Sequence, residues 1–295
     1  MKNIEYFKPT TIDQALRVKQ EMGREACYIA GGTDVLVLAR EKKLDCRALI
    51  SLRRIPELAG ISLQDDVLHL GPATTLTDIL ENGEVARELP ILHDAVQVMG
   101  STQMRNMATV GGNVMTAASS GDTLGPLLCL DAVCRLVSPG GERRVPMDEM
   151  FVGPRTTAAE PDELLAGLEI PLPAAGGAIS SGAFFKLTRR AAMDLALINV
   201  AVQLWVNPDR ATIAKARLAA GVAAPTPVRL KQTEEELVGA PVAEATKEQV
   251  AIRAIGRECR LRDSDRCSAW YREEMLRVLI PRAAALALER MGIAV

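Results

Sequence analysis

The chain has 295 residues, of which 48% are hydrophobic, 24% charged and 3% aromatic, and its formal net charge is −2. This length and apolar content are typical of a folded protein with one large domain or two to three smaller ones. The near-neutral charge does not favour binding to nucleic acid or an anionic membrane, and so few aromatic residues disfavour base stacking.

The first part of the chain is predicted to form a small α/β unit. Thr10 or Thr11 can cap its first helix, and Gly23 can end it. The predicted elements are a helix over Ile12–Met22, short strands over residues 27–30 and 49–52, and a helix that begins near Val35.

A second unit is predicted from residue 56 onward. Thr75 or Thr77 can cap a helix that passes through Asp78. Residues 100–125 are rich in Gly, Ser, Thr, Asn and Ala, and are predicted to form a long loop. The other predicted elements are a strand over Val67–Leu70, helices over 89–99 and 126–132, and a hairpin of 133–137 with 143–145.

A third unit is predicted after residue 177. Residues 171–177 contain two prolines and two glycines and are typical of a linker. Apolar segments at 183–187, 197–206 and 214–219 alternate with turn residues, which favours an antiparallel meander. From Thr233 onward the pattern indicates helices, the last of them over Glu273–Met291.

Cysteine and histidine positions predict neither disulfides nor a metal site in this chain. The six cysteines include no C-x-x-C pair, and His69 and His93 are far apart. Cys129 and Cys134 stand in apolar context and are predicted core residues. No apolar run approaches the roughly 20 residues of a membrane-spanning helix, and residues 1–6 lack a secretory signal. We expect a cytoplasmic protein with no membrane insertion.

The first candidate binding loop is Ile29–Val35, with the sequence IAGGTDV. Here a predicted strand runs into two glycines and then into a helix, so the backbone can approach a ligand closely. N–H groups at a helix start favour an anion such as a pyrophosphate. Asp34 has the wrong charge for a phosphate and is expected to cap the helix or to bond a neighbouring group. Taken alone, this pattern favours a plain glycine turn over a binding loop.

The second candidate loop is Thr109–Asp122. The side chains that can hydrogen-bond a ligand there are Thr109, Asn113, Thr116, Ser119, Ser120 and Asp122. The alternative is a flexible loop with Asp122 as a helix cap. This alternative is weaker than a ligand-binding loop, because long structureless loops are uncommon in compact domains unless they are functional. Neither loop matches G-x-G-x-x-G or G-x-x-x-x-G-K-[ST], so neither the Rossmann nor the P-loop mode of binding is predicted.

Together, the two loops resemble a known family. AGGTD at Ala30–Asp34 and R-N-x-A-T-x-G-G-N at Arg105–Asn113, followed by Asp122, resemble the FAD-binding subunits of the xanthine dehydrogenase and carbon monoxide dehydrogenase family. The resemblance covers nearly the whole chain, and the pair of loops at this spacing is specific. Further matches are ELL at Glu163–Leu165, EIP at Glu169–Pro171, FFK at Phe184–Lys186, Arg189-Arg190 and Asp194.

This resemblance implies an α+β fold in three parts. Residues 1–55 and 56–175 would be two α/β subdomains of a vanillyl-alcohol-oxidase-type (PCMH-type) FAD-binding fold. Residues 178–295 would form a C-terminal domain of the CO dehydrogenase flavoprotein type, with a three-stranded antiparallel sheet and helices.

The resemblance also implies how FAD is held. The first loop would bind the pyrophosphate through backbone N–H groups, and the second would hold the diphosphate, ribityl and adenosine parts. Leu165 would pack near the flavin or adenine. Lys186 would lie near the isoalloxazine, where a cation can stabilise negative charge on reduced flavin, and the segment around Asp194 would line the acceptor side. The implied cofactor-binding residues are Ile29, Ala30, Gly31, Gly32, Thr33, Asp34, Val35, Thr109, Gly111, Gly112, Asn113, Thr116, Ala117, Asp122, Leu165 and Lys186.

Some positions depart from the family pattern or allow another interpretation. Cys27 stands where some relatives have lysine, so it is not a predicted ligand contact. The spacing between Arg190 and Asp194 also differs from that in relatives. Strand alternation around Lys186 by itself predicts a solvated lysine, whereas the resemblance predicts a flavin-proximal one.

The implied function is electron relay. A large partner subunit with molybdopterin would oxidise the substrate, and a small partner with [2Fe–2S] clusters would pass the electrons on. This chain would deliver them from FAD to NAD⁺ or a quinone without acting on the organic substrate. The family expectation is a heterotrimer, which can pair into a dimer of heterotrimers. The alternatives are a free-standing flavin oxidase or dehydrogenase on the same fold, and an assembly protein that has lost its flavin.

Overall fold

The computed structural model describes residues 4–174 and 178–294, whose strands form three main sheets and a two-stranded ribbon. Each main sheet has its own cluster of buried apolar side chains. Residues 175–177, at the end of the predicted linker, lie outside the described residues, and Pro171 at its start belongs to a strand. The predicted domain boundaries remain predictions.

The first sheet is parallel, with β3 between β1 and β2. Helix α1 follows the prediction at both ends, since the Thr11 hydroxyl accepts a bond from the backbone of Gln14 and Gly23 ends the helix at φ 56°. The carboxyl end of β2 leads into the first glycine loop and then into α2. The elements of this unit are β1 (Glu5–Phe7), α1 (Ile12–Met22), β2 (Ala26–Ile29), α2 (Val35–Arg40) and β3 (Ala48–Ser51).

The second sheet is antiparallel, with its five long strands in the order β4-β5-β10-β6-β7. Thr75 caps α3 in a reciprocal capping box with Asp78, as expected from the sequence. Its strands are β4 (Ile61–Gln64), β5 (Val67–Leu70), β6 (Val133–Ser138), β7 (Gly141–Pro146) and β10 (Leu164–Pro171), and the ribbon is β8 (Phe151–Gly153) with β9 (Thr156–Thr157). Its helices are α3 (Leu76–Glu81), α4 (Gly83–Glu88), α5 (Pro90–Gln97), α6 (Thr102–Arg105), α7 (Val110–Thr116) and α8 (Leu124–Cys129).

The prediction of a long loop over residues 100–125 is wrong, because this stretch contains the short helices α6 and α7. Ser101 and Thr109 cap them, accepting bonds from the backbone N–H groups of Met104 and Gly112. Two glycines lower the helix propensity of α7. Tertiary packing offsets that cost, because Gly111 lies directly against the backbone of Pro72. A Cβ on Gly111 would lie only 2.8 Å from the Pro72 Cα, so this packing requires glycine.

The third sheet is the predicted meander, with a two-residue fourth strand at its edge. Helix α11 begins four residues ahead of the expected Glu273. The elements of this unit are β11 (Ile179–Leu187), β12 (Ile198–Val206), β13 (Ile213–Gly221), β14 (Val228–Arg229), α9 (Lys231–Leu237), α10 (Glu248–Glu258) and α11 (Ala269–Arg290).

The third unit packs directly on the second. Phe184, Ala201 and Ala219 are buried in the second apolar cluster. Asp131, which follows α8, accepts hydrogen bonds from Arg217 and Arg229 of the third sheet. These contacts fix β11 beside the second glycine loop.

Further sequence predictions concern cysteines, metals and membranes. Cys129 and Cys134 are fully buried, as predicted. Among residues 4–174 and 178–294, no group of three or more His, Cys, Asp or Glu side chains is arranged to hold a metal ion. Within the same residues, no helix is long and apolar enough to cross a membrane.

Candidate cofactor-binding site

The first glycine loop touches the backbone that immediately precedes the second loop. A Cβ at Gly31 would lie 2.7 Å from the carbonyl carbon of Met107 and 2.9 Å from the Cα of Ala108, and closer still to the Met107 carbonyl oxygen. Only a residue without a side chain permits this approach. Gly32 follows with φ +77°, the left-handed region in which glycine is favoured. The first loop therefore needs both glycines, one for packing and one for its backbone turn.

Three cavities line up along the contact between the loops. Their volumes are about 260, 290 and 260 Å³, and we name them the Lys186, glycine and Leu165 cavities. Thr33, Asp34, Asn113 and Thr116 line both of the first two, and Gly112 lines both of the last two. Because neighbouring cavities share lining residues, they lie side by side, and we refer to the three together as the groove.

The glycine cavity lies between the two loops. Its walls include Ala30–Val35 from the first loop and Thr109, Gly112, Asn113 and Thr116 from the second. Two predicted site residues lie behind these walls. Ile29 is buried in β2, and Ala117, at the end of α7, is buried with φ 48°.

The Lys186 cavity holds a buried ion pair. Lys186 Nζ lies 2.7 Å from Asp122 Oδ2, and each side chain is only 5% exposed. Asn199 Nδ2 donates to the other carboxylate oxygen at 3.2 Å. Burial raises the pKa of Asp122, and the bonds from Lys186 and Asn199 oppose that rise. The solvated lysine predicted from strand alternation is thus wrong, since β11 lies under the second loop at this point.

Asp194 organises one wall of the same cavity. Its carboxylate accepts bonds from the backbone N–H groups of Arg189 and Arg190 and from the Arg266 guanidinium. The Arg266 bond, with these backbone bonds, lowers the pKa of Asp194 to about 2. This brings Met193 and Leu195 to the cavity wall, although both side chains remain more than half exposed.

The Leu165 cavity is more apolar. Leu165 is 3% exposed and lies next to the irregular register of β10, between Leu165 and Gly167. Tyr28 lines this cavity and the glycine cavity, and its hydroxyl is buried without a hydrogen-bond partner in the described chain. The walls of this cavity are Cys27, Tyr28, Ala30, Leu52, Pro72, Gly111, Gly112, Met115, Glu163, Leu164 and Leu165.

Neither Asp34 nor Asp122 caps a helix, so capping is wrong both as one of the two roles expected for Asp34 and as the weaker alternative for Asp122. Asp34 precedes α2 but makes no capping bond, because its backbone is already helical, with φ −98° and ψ −50°. Asp122 does not cap α8, since its side chain turns to Lys186 and Asn199 instead. Both carboxylates line the Lys186 cavity.

Sequence reasoning missed several residues that the fold brings to the groove. They come from separate segments and carry no local pattern that marks a binding site. Asn199 in particular lies inside a long apolar strand, where its polar side chain was the one available signal. The missed residues are Tyr28, Met99, Gly100, Met104, Arg105, Arg155, Met193, Leu195 and Asn199.

Two family models match the chain along this architecture. Residues 2–173 match the FAD binding domain in molybdopterin dehydrogenase, and residues 183–287 match the CO dehydrogenase flavoprotein C-terminal domain. The first match alone covers more than half of the chain. This chain belongs to the FAD-binding subunits of the molybdopterin hydroxylase family.

Relatives of this flavoprotein subunit align along most of their length. The xanthine dehydrogenase FAD-binding subunit of Escherichia coli O157:H7 is 32% identical over 288 residues, 97% of each chain. The nicotinate dehydrogenase FAD-subunit of Eubacterium barkeri is 31% identical over 252 residues, 84% of each chain. A solved carbon monoxide dehydrogenase from Hydrogenophaga pseudoflava, lacking the Mo-pyranopterin moiety of its molybdenum cofactor, superposes with a TM-score of 0.91 at 28% identity, over 98% of each chain.

The predicted family and the α+β fold class are therefore confirmed. The chain is an oxidoreductase flavoprotein subunit of the xanthine dehydrogenase and CO dehydrogenase type. The names of these relatives specify different substrates, although the FAD-binding chains are alike.

Proposed function

We propose that this subunit holds FAD in the groove and relays electrons from the [2Fe–2S] clusters of a small partner subunit to a final acceptor such as NAD⁺ or a quinone. A large molybdopterin-binding partner oxidises the substrate, and this chain does no chemistry on it. The observation that carries the proposal is that residues of both glycine loops and the Lys186–Asp122 pair line one cavity. When bound, FAD supplies the exchange between one-electron and two-electron carriers.

The residues of the glycine cavity suit a dinucleotide pyrophosphate. Glycine backbone lets N–H groups approach phosphate oxygens without a side chain between them. A Cβ on Gly112 would enter the groove, with the Thr109 hydroxyl at 3.0 Å as its one near neighbour among the described atoms. Asn113 and Thr116 add polar side chains along the same wall. Asp34 would repel a phosphate, so we assign it a bond to a hydroxyl of the ligand.

The two ends of the groove differ in chemistry, and this difference favours one orientation of FAD along the groove. The Lys186 cavity offers a buried ammonium, and a cation there stabilises the negative charge that two-electron reduction places on a flavin ring. The Leu165 cavity is more apolar and suits the flat adenine. We therefore propose that the isoalloxazine occupies the Lys186 cavity, with the segment around Asp194 on its acceptor side.

The decisive experiment is to purify the chain with whatever subunits co-elute and to identify the chromophore that denaturation releases. About one FAD per chain, with molybdenum and iron in the co-eluting subunits, supports the relay. FAD on a chain that purifies alone as an active oxidase supports the free-standing oxidase instead. No flavin, even after incubation with excess FAD, overturns the proposal and leaves the glycine loops as structural turns.

The site within the chain is tested by Gly112→Ala. Gly112 lines the groove, and the Thr109 hydroxyl, 3.0 Å from the new methyl, must shift by a few tenths of an ångström to admit it. We expect FAD affinity to fall by at least about tenfold while the free energy of unfolding changes by less than about 1 kcal/mol. Gly140→Ala is the matched control, because its Cβ would meet only Ser138 Oγ, at 3.6 Å, outside the groove. Equal FAD affinity in both variants would contradict this placement.

The acceptor is tested on the FAD-loaded chain without oxygen. If NAD⁺ is the acceptor, the reverse reaction must also proceed, and NADH should bleach the flavin absorbance. A reduced quinone that bleaches it while NADH does not would assign the quinone as acceptor.

A further inference from the structure

Asn199 joins the third sheet to the Lys186 cavity. It lies on β12 and is 1% exposed. Its Oδ1 accepts a bond from the backbone N–H of Gly221 at 2.9 Å, and its Nδ2 donates to Asp122 Oδ1 at 3.2 Å. Gly221, its partner on β13, leaves room for this amide, since a Cβ there would lie 2.8 Å from Asn199 Cγ. The amide is thus held on one side and directs its donor to Asp122 on the other.

Both carboxylate oxygens of Asp122 are held. Asn199 bonds Oδ1 and Lys186 bonds Oδ2, so the carboxylate cannot rotate without breaking one of these bonds. The position of the Lys186 ammonium depends chiefly on Asp122, because its other bond, to the carbonyl of Val98, is longer at 3.4 Å. The order of contact is therefore Gly221 backbone, Asn199 amide, Asp122 carboxylate and Lys186 ammonium.

The same chain of bonds has an electrostatic effect. A buried carboxylate is costly to ionise, and burial raises the pKa of Asp122. A hydrogen bond from the Asn199 amide favours the ionised form, which is the form that binds a lysine ammonium. Within residues 4–174 and 178–294 this donor bonds no other group, so the second function of Asn199 besides the Gly221 bond is to keep Asp122 charged and oriented.

We propose that Asn199 is a positioning residue that, through Asp122, fixes the Lys186 ammonium in the cavity and thereby sets the reduction potential of the bound flavin. This inference rests on the proposed function, because it requires FAD in that cavity. Asn199 itself lines none of the three cavities and acts only through its neighbours.

The test is a double-mutant cycle on the FAD-loaded chain, read as the flavin midpoint potential in spectroelectrochemical titrations. Asn199→Leu removes both bonds without adding charge. Asn199→Met adds no charge, leaves a thioether sulfur as a weak acceptor near the Gly221 N–H, and loses the donor to Asp122. Lys186→Met removes the ammonium. We expect each single variant to lower the equilibrium constant for two-electron reduction of the flavin by about tenfold, which is a fall of about 30 mV in its midpoint potential.

The double variants separate positioning from a merely structural role. In the Lys186→Met background, either Asn199 substitution should change the reduction equilibrium by less than about twofold, because the residue through which it acts is gone. An undiminished shift in that background, or Asn199 variants that lower the unfolding midpoint but keep the parent potential, would overturn the inference. Failure of the parent chain to bind FAD would instead overturn the proposed function.

Discussion

Replacing Gly31 with alanine is the most direct test of the contact between the first glycine loop and the backbone that immediately precedes the second loop. The added Cβ would lie 2.7 Å from the carbonyl carbon of Met107 and 2.9 Å from the Cα of Ala108. Both neighbours are backbone atoms, so no rotation of a side chain can relieve the overlap. Since ordinary contacts begin at 3.4 Å, the loops must separate by at least about 0.7 Å or keep the strain.

The size of the effect follows from this overlap. Overpacking typically costs about 1–3 kcal/mol, and backbone neighbours favour the upper part of that range. We expect Gly31→Ala to lower the free energy of unfolding by about 2 kcal/mol. FAD affinity should fall by roughly tenfold to a hundredfold, because displaced loops no longer match the ligand and each 1.4 kcal/mol is a factor of ten.

The assay is equilibrium FAD binding to the apo chain, paired with urea unfolding of the same samples. Ile50→Val is the stability control, since it should cost about 1 kcal/mol in the core of the same sheet without altering the groove. Gly256→Ala is the steric control, because nothing lies within 4 Å of its added Cβ. If Gly31→Ala bound FAD like the parent, or if Ile50→Val lost as much affinity, the loop contact would not shape the site.

Two further predictions concern the stability that charged side chains contribute. Glu234 is 4% exposed at its side chain and pairs with the nearly buried Arg229, so Glu234→Leu should lower the unfolding free energy by about 3 kcal/mol in urea titrations, whereas Glu41→Leu at an exposed pair should change it by less than about 1 kcal/mol. Equal effects would refute this reasoning. The Arg266 bond lowers the pKa of Asp194 to about 2, below the roughly 3.9 of an unfolded aspartate. The unfolded state therefore binds more protons, and the stability that Asp194 contributes above about pH 4 is lost as pH falls toward 2. Between pH 6 and 3 the stability of Asp194→Asn should fall less than that of the parent, and parallel curves would contradict this assignment.

Local signals in the sequence predicted several elements well. Helix α1 begins after Thr11 and ends at Gly23, as predicted, because capping and left-handed backbone depend on a few adjacent residues. The hairpin of β6 and β7 and the three long strands of the third sheet were likewise predicted from apolar segments separated by turn residues. The two glycine loops, taken as a pair, were enough to indicate the family.

Other features depend on contacts between segments that are distant in the sequence, and local sequence patterns predicted them wrongly. Glycines in α7 predicted a loop, but a helix forms because Gly111 packs against Pro72, 39 positions earlier in the chain. A helix cap was one of two roles expected for Asp34 and the weaker alternative for Asp122, and neither residue caps a helix. A capping role requires a suitable backbone angle and a free carboxylate, and tertiary structure decides both.

The sequence by itself determined the chemistry that is available: glycines that remove side chains, small polar groups, and one lysine on a strand. Only the tertiary structure decided where these groups meet. Docking of the third sheet on the second unit buries Lys186 against Asp122 and places Asn199 behind it. The physical reason is that a buried ion pair forms only where packing excludes water from both charges, and that packing joins residues separated by 64 and 77 positions.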